Sequence, residues 1–254
     1  MLVGATGQPQ QGGACLACIN ASTGVTQWSF ACQDPTTGQV SAAFQGAVVS
    51  ARDGAVFFSS ATTLYALEPT DARRWLTRLT LPSGDSSDGF LTAPALSADG
   101  FTVFVGSAAS ASSPSTLYAL DNGSGAVLWS LRAPASVTGV AAGLTGGVAF
   151  SSADASLRFA SEAGALQWAT AYSPRAWPAA APSAPALAPS GALLALTSAG
   201  SLVSFNATDG NATAVDGALP GVSAWPLGSA PVADAGTLWV YVAAPTGELR
   251  AYAP

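Results

Sequence analysis

Histidine and lysine are both missing from this chain of 254 residues, and Met1 is its only methionine. Without them, Ser-His-Asp, Cys-His and lysine-based nucleophilic devices cannot be assembled. Charge of either sign is scarce: 9% of residues are charged, against roughly a quarter in ordinary globular domains. The formal net charge of −6 argues against a nucleic-acid surface. No apolar run reaches the roughly 18 residues of a spanning helix. The most apolar stretch, 176–196, is broken by Pro178, Pro182, Pro185 and Pro189, so no membrane insertion is expected. The opening MLVGAT has no basic n-region, so either a leader has been removed or none existed.

What is present is a repeated phrase. It reads LYALEPTDARRW at 64–75 and LYALDNGSGAVLW at 117–129, with looser copies at 15–28, 157–168, 202–210 and 249–254. The leading residues Leu16, Leu64, Leu117, Leu157, Leu202 and Leu249 are 40 to 53 positions apart. A period near 45, built from short apolar runs and Gly-rich turns, predicts an all-β fold, a β-propeller of four-stranded antiparallel blades. The copies divide the chain into repeats at 1–32, 42–79, 89–133, 135–172, 178–215 and 223–254, about six blades in a single domain 1–254.

The third copy is the most complete. Strand A is predicted at 92–97, B at 101–107, C at 116–120 and D at 126–132, each bounded by Gly, Asp or Pro. Gly24, Gly125 and Gly164 each stand four residues before Trp28, Trp129 and Trp168, and Asp71 stands four before Trp75. The Gly supplies the positive φ of the C–D hairpin, and the Trp is expected to wedge against the neighbouring blade. Ala214 occupies the Trp position of the fifth copy, so that seam should be the weakest interior one. The register begins in a strand B and stops in a strand C. This fits a six-bladed ring lacking two strands, a segment of a seven- or eight-bladed ring, or a ring completed by another polypeptide. The expectation is that flanking polypeptide completes it.

These phrases resemble the PQQ-like (quinoprotein alcohol dehydrogenase-like) repeat. The matching residues are Ser107, Leu117-Tyr118-Ala119-Leu120-Asp121 and the hairpin from Gly125 to Trp129. The resemblance implies the blade architecture. It also suggests a quinone cofactor, which family members hold with adjacent cysteines, a stacking Trp, calcium and a catalytic Asp. This chain has no adjacent cysteines, and its axis-lining strands are Ala, Pro, Val and Gly. No catalytic, cofactor-binding or metal residue is therefore assigned, and no cofactor is expected. Most of the fourteen acids, Asp53, Asp99, Asp121, Asp209 and Asp234 among them, fall in turns, where they accept backbone hydrogen bonds. The segment 83–89, SGDSSDG, lacks the alternating oxygens and terminal Glu of a calcium loop.

Other residues carry expectations of their own. Cys18 aligns with Ala66 and Ala119 and should fill a small buried slot, whereas Cys15 and Cys32 lie on adjacent strands and form a disulfide candidate. All four asparagines of the chain, Asn20, Asn122, Asn206 and Asn211, are N-x-Ser/Thr glycosylation candidates on C–D turns. On the opposite face, two D–A loops carry Ala-Trp-Pro, at Trp177 and Trp225, as partner-face candidates.

The reading is a non-catalytic propeller scaffold that recognises a protein or glycan partner on its D–A/B–C face, extracellular or at the cell surface. Within the resembled family, the outer-membrane assembly lipoproteins are the nearest analogue, scaffolds that bind by their loops. The alternative is a cytoplasmic propeller domain of a larger adenylating enzyme, or a quinone-dependent dehydrogenase.

Overall fold

The computed structural model describes residues 2–5, 16–31, 44–60, 62–70, 72–79, 90–108, 115–143, 146–171, 183–188, 190–196, 202–214, 232–233, 240–243 and 249–252. These residues form six antiparallel sheets in sequence order. The first sheet is β1 (Leu2–Ala5), β2 (Leu16–Ile19) and β3 (Thr26–Phe30); the second is β4 (Phe44–Val49), β5 (Val56–Ser60), β6 (Thr63–Leu67) and β7 (Arg73–Arg78). The third holds β8 (Phe90–Leu91), β9 (Ala95–Leu96), β10 (Thr102–Ala108), β11 (Ser115–Asp121) and β12 (Val127–Ala133). The fourth is β13 (Val137–Ala142), β14 (Val148–Ser152), β15 (Ser156–Ala160) and β16 (Leu166–Ala171). The fifth is β17 (Ala186–Leu187), β18 (Leu193–Leu196), β19 (Leu202–Phe205) and β20 (Ala212–Ala214), and the last is β21 (Val232–Ala233), β22 (Val240–Ala243) and β23 (Leu249–Tyr252). The fold is the all-β propeller that the repeat predicts. No helix among the described residues is long and apolar enough to cross a membrane.

Each complete sheet is a meander from an inner strand A to an outer strand D. In the third blade, strand A is split into β8 and β9, and both pieces pair with β10. The split has a local cause. Pro94 cannot donate a ladder bond, and the Thr92 hydroxyl compensates two residues earlier. Thr92 N donates to Gly106 O at 2.8 Å, and Gly106 N donates to Thr92 Oγ1 at 3.0 Å. Ser183 repeats the device ahead of Pro185: its N reaches Leu196 O at 2.9 Å, and Leu196 N reaches its Oγ at 3.0 Å.

The cores lie between blades. Strand B residues alternate faces, so consecutive side chains go to opposite neighbours. Val103 and Val105 pack with Phe57, Leu64 and Trp75 of the second blade, while Phe104 between them packs with Val137, Val148 and Phe150 of the fourth. Ala149 in turn faces Leu193, Ala195 and Phe205 of the fifth blade. Phe30 of the first blade meets Phe58 and Tyr65 of the second with centroids 5.9 Å apart in both pairs. Inner strands approach so closely that a Cβ on Gly106 would lie 2.3 Å from Val137, and one on Gly139 would lie 2.2 Å from Ala184.

Candidate functional site

The Trp of strand D does more than wedge. Each described indole N–H donates to a carbonyl in the C–D turn of the next blade: Trp28 to Pro69 at 2.9 Å, Trp75 to Asn122 at 2.6 Å, Trp129 to Glu162 at 2.7 Å and Trp168 to Ala207 at 2.9 Å. The turn glycine of that next blade lies under the ring. A Cβ on Gly125 would sit 2.7 Å from Trp75, one on Gly164 2.7 Å from Trp129, and one on Gly210 2.6 Å from Trp168. The glycine therefore serves twice: it takes φ of +71° to +81° and leaves room for a neighbour's ring.

A β-bulge aims each ring. Register slips by one residue after Cys18, Ala66, Ala119 and Phe159, which are the residues opposite Trp28, Trp75, Trp129 and Trp168. The residue left over lies just before the Trp, and the extra twist turns the ring toward the next blade. The fifth blade has no such slip. Thr213 pairs with Ser204 and Ala214 with Val203, so Thr213, not Ala214, stands where the other blades have Trp.

In the second blade the bulged residue is Arg74, and it clasps two blades together. Its Nε donates to Glu68 Oε1 at 2.6 Å and Nη2 to Glu68 Oε2 at 3.0 Å, while Nη1 donates to Asp53 Oδ2 at 2.8 Å and to Asn122 Oδ1 at 3.0 Å. Partial burial alone would raise the Asp53 carboxyl, but hydrogen bonds from Arg74, Ser50 and the Ala55 amide outweigh it and hold the group at about 2. The Arg74 hydrogen bonds likewise depress Glu68. Asp154 is held at about 2, again against burial, by Arg158 and the Ser156 hydroxyl. Bonds from Ser97 and the Phe101 amide lower Asp99, and the Ser124 hydroxyl and amide lower Asp121.

On the axis, an apolar cavity of about 660 Å³ opens among the inner strands, lined by Val48, Leu96, Val140 and Leu187 with Arg52 and Asp99 at its mouth. The Arg52 guanidinium lies 3.8 Å over the Phe101 ring, which is 51% exposed. In a meander the A–B and C–D turns share one end, so this mouth opens on the C–D turn face.

A family model described as outer membrane protein assembly factor BamB, built of PQQ-like repeats, matches residues 60–225. The chain belongs to the PQQ-like repeat family. Among solved structures it is similar in fold to BamB from Moraxella catarrhalis, 19% identical with a TM-score of 0.53, covering 85% of this chain and 60% of that one. It is also similar to a protein of unknown function from Bacteroides caccae, 15% identical with a TM-score of 0.60, covering 95% of this chain and 82% of that one. The chain thus spans about 60% of the Moraxella protein's length. No curated protein matches the sequence.

Within this PQQ-like frame the predicted residues separate. Trp28, Trp75, Trp129 and Trp168 all lie at the seams described above. Asn122 is 2% exposed, and its Nδ2 donates to Gly100 O at 2.6 Å, so the atom a glycan would need is already committed. Asn20 and Asn206 sit one turn position earlier, where the Oδ1 of each closes the turn by accepting from Ser22 N at 2.9 Å and Thr208 N at 2.8 Å. Asn211 is exposed, its Nδ2 donating to Asp209 Oδ2 at 2.6 Å. Cys18 is a free, buried thiol 3.5 Å from Gln27 Oε1. Cys15, Cys32, Trp177, Trp225 and the segment 83–89 lie outside the described residues. Among the described residues no group of three His, Cys, Asp or Glu could hold a metal ion.

The indole-to-carbonyl links, the Arg74 clasp and the axial cavity were not read from the sequence. Gly and Trp at a fixed offset in successive copies was the available signal for the first. An Arg directly before a blade Trp was the available signal for the second.

Proposed function

We propose that this PQQ-like propeller is a non-catalytic scaffold that recognises a protein partner outside the cell or at its surface. One observation carries the reading. Among the described residues, Asp53, Glu68, Asp99, Asp121 and Asp154 are all pushed below the ordinary carboxylate range, and each is engaged in a turn or an ion pair. A general acid near neutral pH needs the opposite shift, from burial without such partners. The family description, an assembly factor of the outer membrane, favours binding over turnover. Recognition then falls to the D–A and B–C loops, where Trp177 and Trp225 each stand beside a rigid proline. A protein partner is favoured over a glycan because the family description names protein assembly.

Site-directed photocrosslinking in the source cell tests this. A photoreactive residue at 177 or 225 should give a discrete protein adduct, and one at 123, on the C–D turn face, should not. Adducts from 123 alone would place recognition on the wrong face. Adducts from none of the three would remove the scaffold reading.

A further inference from the structure

Of the four asparagines, Asn122 alone is followed by Gly; Asn20, Asn206 and Asn211 each precede Ala. An Asn-Gly step carries its own reaction. The amide nitrogen of the glycine attacks Cγ of the asparagine, a bond forms between them, and the Cγ–Nδ2 bond breaks to release ammonia. Water then opens the resulting succinimide at either carbonyl, giving aspartate or isoaspartate. The sum is one amide hydrolysed by one water, with no redox change. Glycine favours the attack because no Cβ hinders its nitrogen or restricts the backbone that must swing toward Cγ. In an unfolded chain Asn122 is therefore the asparagine that reacts first.

In the folded chain every group that must move is held. The leaving nitrogen, Nδ2, donates to Gly100 O at 2.6 Å, and Oδ1 accepts from Arg74 Nη1 at 3.0 Å, so the carboxamide cannot turn toward the chain. The backbone is fixed as well: Asn122 N donates to Phe101 O at 2.9 Å, and Asn122 O accepts from the Trp75 indole at 2.6 Å. The attacking Gly123 amide donates to the Asp121 carboxylate, which it helps to hold below its usual range. At 2% exposure, Asn122 is shut off from the water that must take up the proton and open the ring. Two of the four bonds to Asn122 come from the second blade, through Trp75 and Arg74, so the restraint belongs to the seam as much as to the turn.

We propose that Asn122-Gly123 is a spontaneous modification site gated by the seam between the second and third blades. It stays silent while Trp75 and Arg74 are in place, and opening of the seam lets it convert to aspartate or isoaspartate. The product then prevents reclosure. A carboxylate has no hydrogen to give Gly100 O, so an oxygen would face that carbonyl where Nδ2 stood. It would also be a third carboxylate around Arg74, which already pairs with Asp53 and Glu68. Isoaspartate further routes the backbone through Cβ and so displaces the carbonyl that receives Trp75. A transient opening is thereby made lasting. The site is separate from the loop-face recognition proposed above and does not depend on it.

The test is to incubate the whole protein in mildly alkaline buffer and follow conversion at Asn122 by peptide mapping, with the same protein in concentrated urea giving the unrestrained rate. Conversion in the folded protein should be at least about a hundredfold slower than in urea, since it proceeds only through the small open fraction. Trp75→Phe keeps a ring but removes the donor to Asn122 O, and should speed conversion severalfold. Arg74→Met releases Oδ1 and should act in the same direction, which gives a second reading should Trp75→Phe fail to fold. Trp168→Phe makes the matching change at the seam of the fourth and fifth blades and should leave the Asn122 rate unchanged. Equal rates in buffer and in urea overturn the proposal. So does equal acceleration by the Trp75 and Trp168 variants, which would mean that the gate is global unfolding. Asn122→Asp reproduces one product, and its amides at 121–126 should exchange hydrogen at least about tenfold faster than those of the unsubstituted protein. Unchanged protection there would show that the seam recloses and would overturn the lasting effect.

Discussion

Asn122 shows how much one side chain carries at a seam. Its carbonyl receives the Trp75 indole, its Oδ1 receives Arg74, its Nδ2 holds Gly100 O and its backbone N holds Phe101 O. Replacing it by Ala removes one charged and one neutral hydrogen bond from a buried site and should lower stability by about 2–4 kcal/mol. Asn20→Ala removes only the exposed turn-closing bonds to Ser22 N and Thr23 N and should cost about 1 kcal/mol. Urea unfolding of the two variants checks the order. Peptide mapping of native protein should also find Asn122 unmodified, whatever Asn20, Asn206 and Asn211 carry. A glycan on Asn122 would contradict its role in the seam.

Among the elements, the outer hairpins were half legible. The Gly-to-Trp offset located the C–D turns and the Trp that packs outward from each blade, because a period-45 repeat keeps both in register. It did not reveal the direction of packing, since a wedge between blades looks the same from either side in one dimension. It also missed the bulge. The bulge leaves no residue signature, so counting four from Gly210 chose Ala214 where the register puts Thr213. The sequons at Asn20 and Asn122 look alike in the sequence, but one turn position separates an exposed loop from a buried link. The Arg74 clasp belongs to this scale as well, since it joins an A–B turn to two C–D turns. Asp53 titrates in the folded state at about 2, below the ~3.9 of an unfolded Asp. Its contribution is therefore complete above the unfolded value and is lost as pH falls through the folded one. Asp53→Asn should flatten the decline in urea midpoint between about pH 4 and pH 2, and an unchanged slope would show that the clasp contributes nothing.

Across the molecule, the first four blades form a one-way chain in which each hands a Trp to the next, and stability should follow those nearest-neighbour links. The fifth blade has no Trp to hand on, because Thr213 stands in its place. Polar side chains of the described outer hairpins, Arg74 and Asn122 among them, hold these seams. This claim is tested most directly by a double-mutant cycle between Trp75 and Gly125. In the intact seam, Gly125→Ala should combine left-handed strain of about 1–2 kcal/mol with a clash against the ring that costs about 1–3 kcal/mol more. With Trp75→Ala already in place the clash disappears, so the two changes should couple by at least about 1 kcal/mol. Costs that add to within about 0.5 kcal/mol would mean that the indole does not rest on Gly125, and the account of the seams would fail.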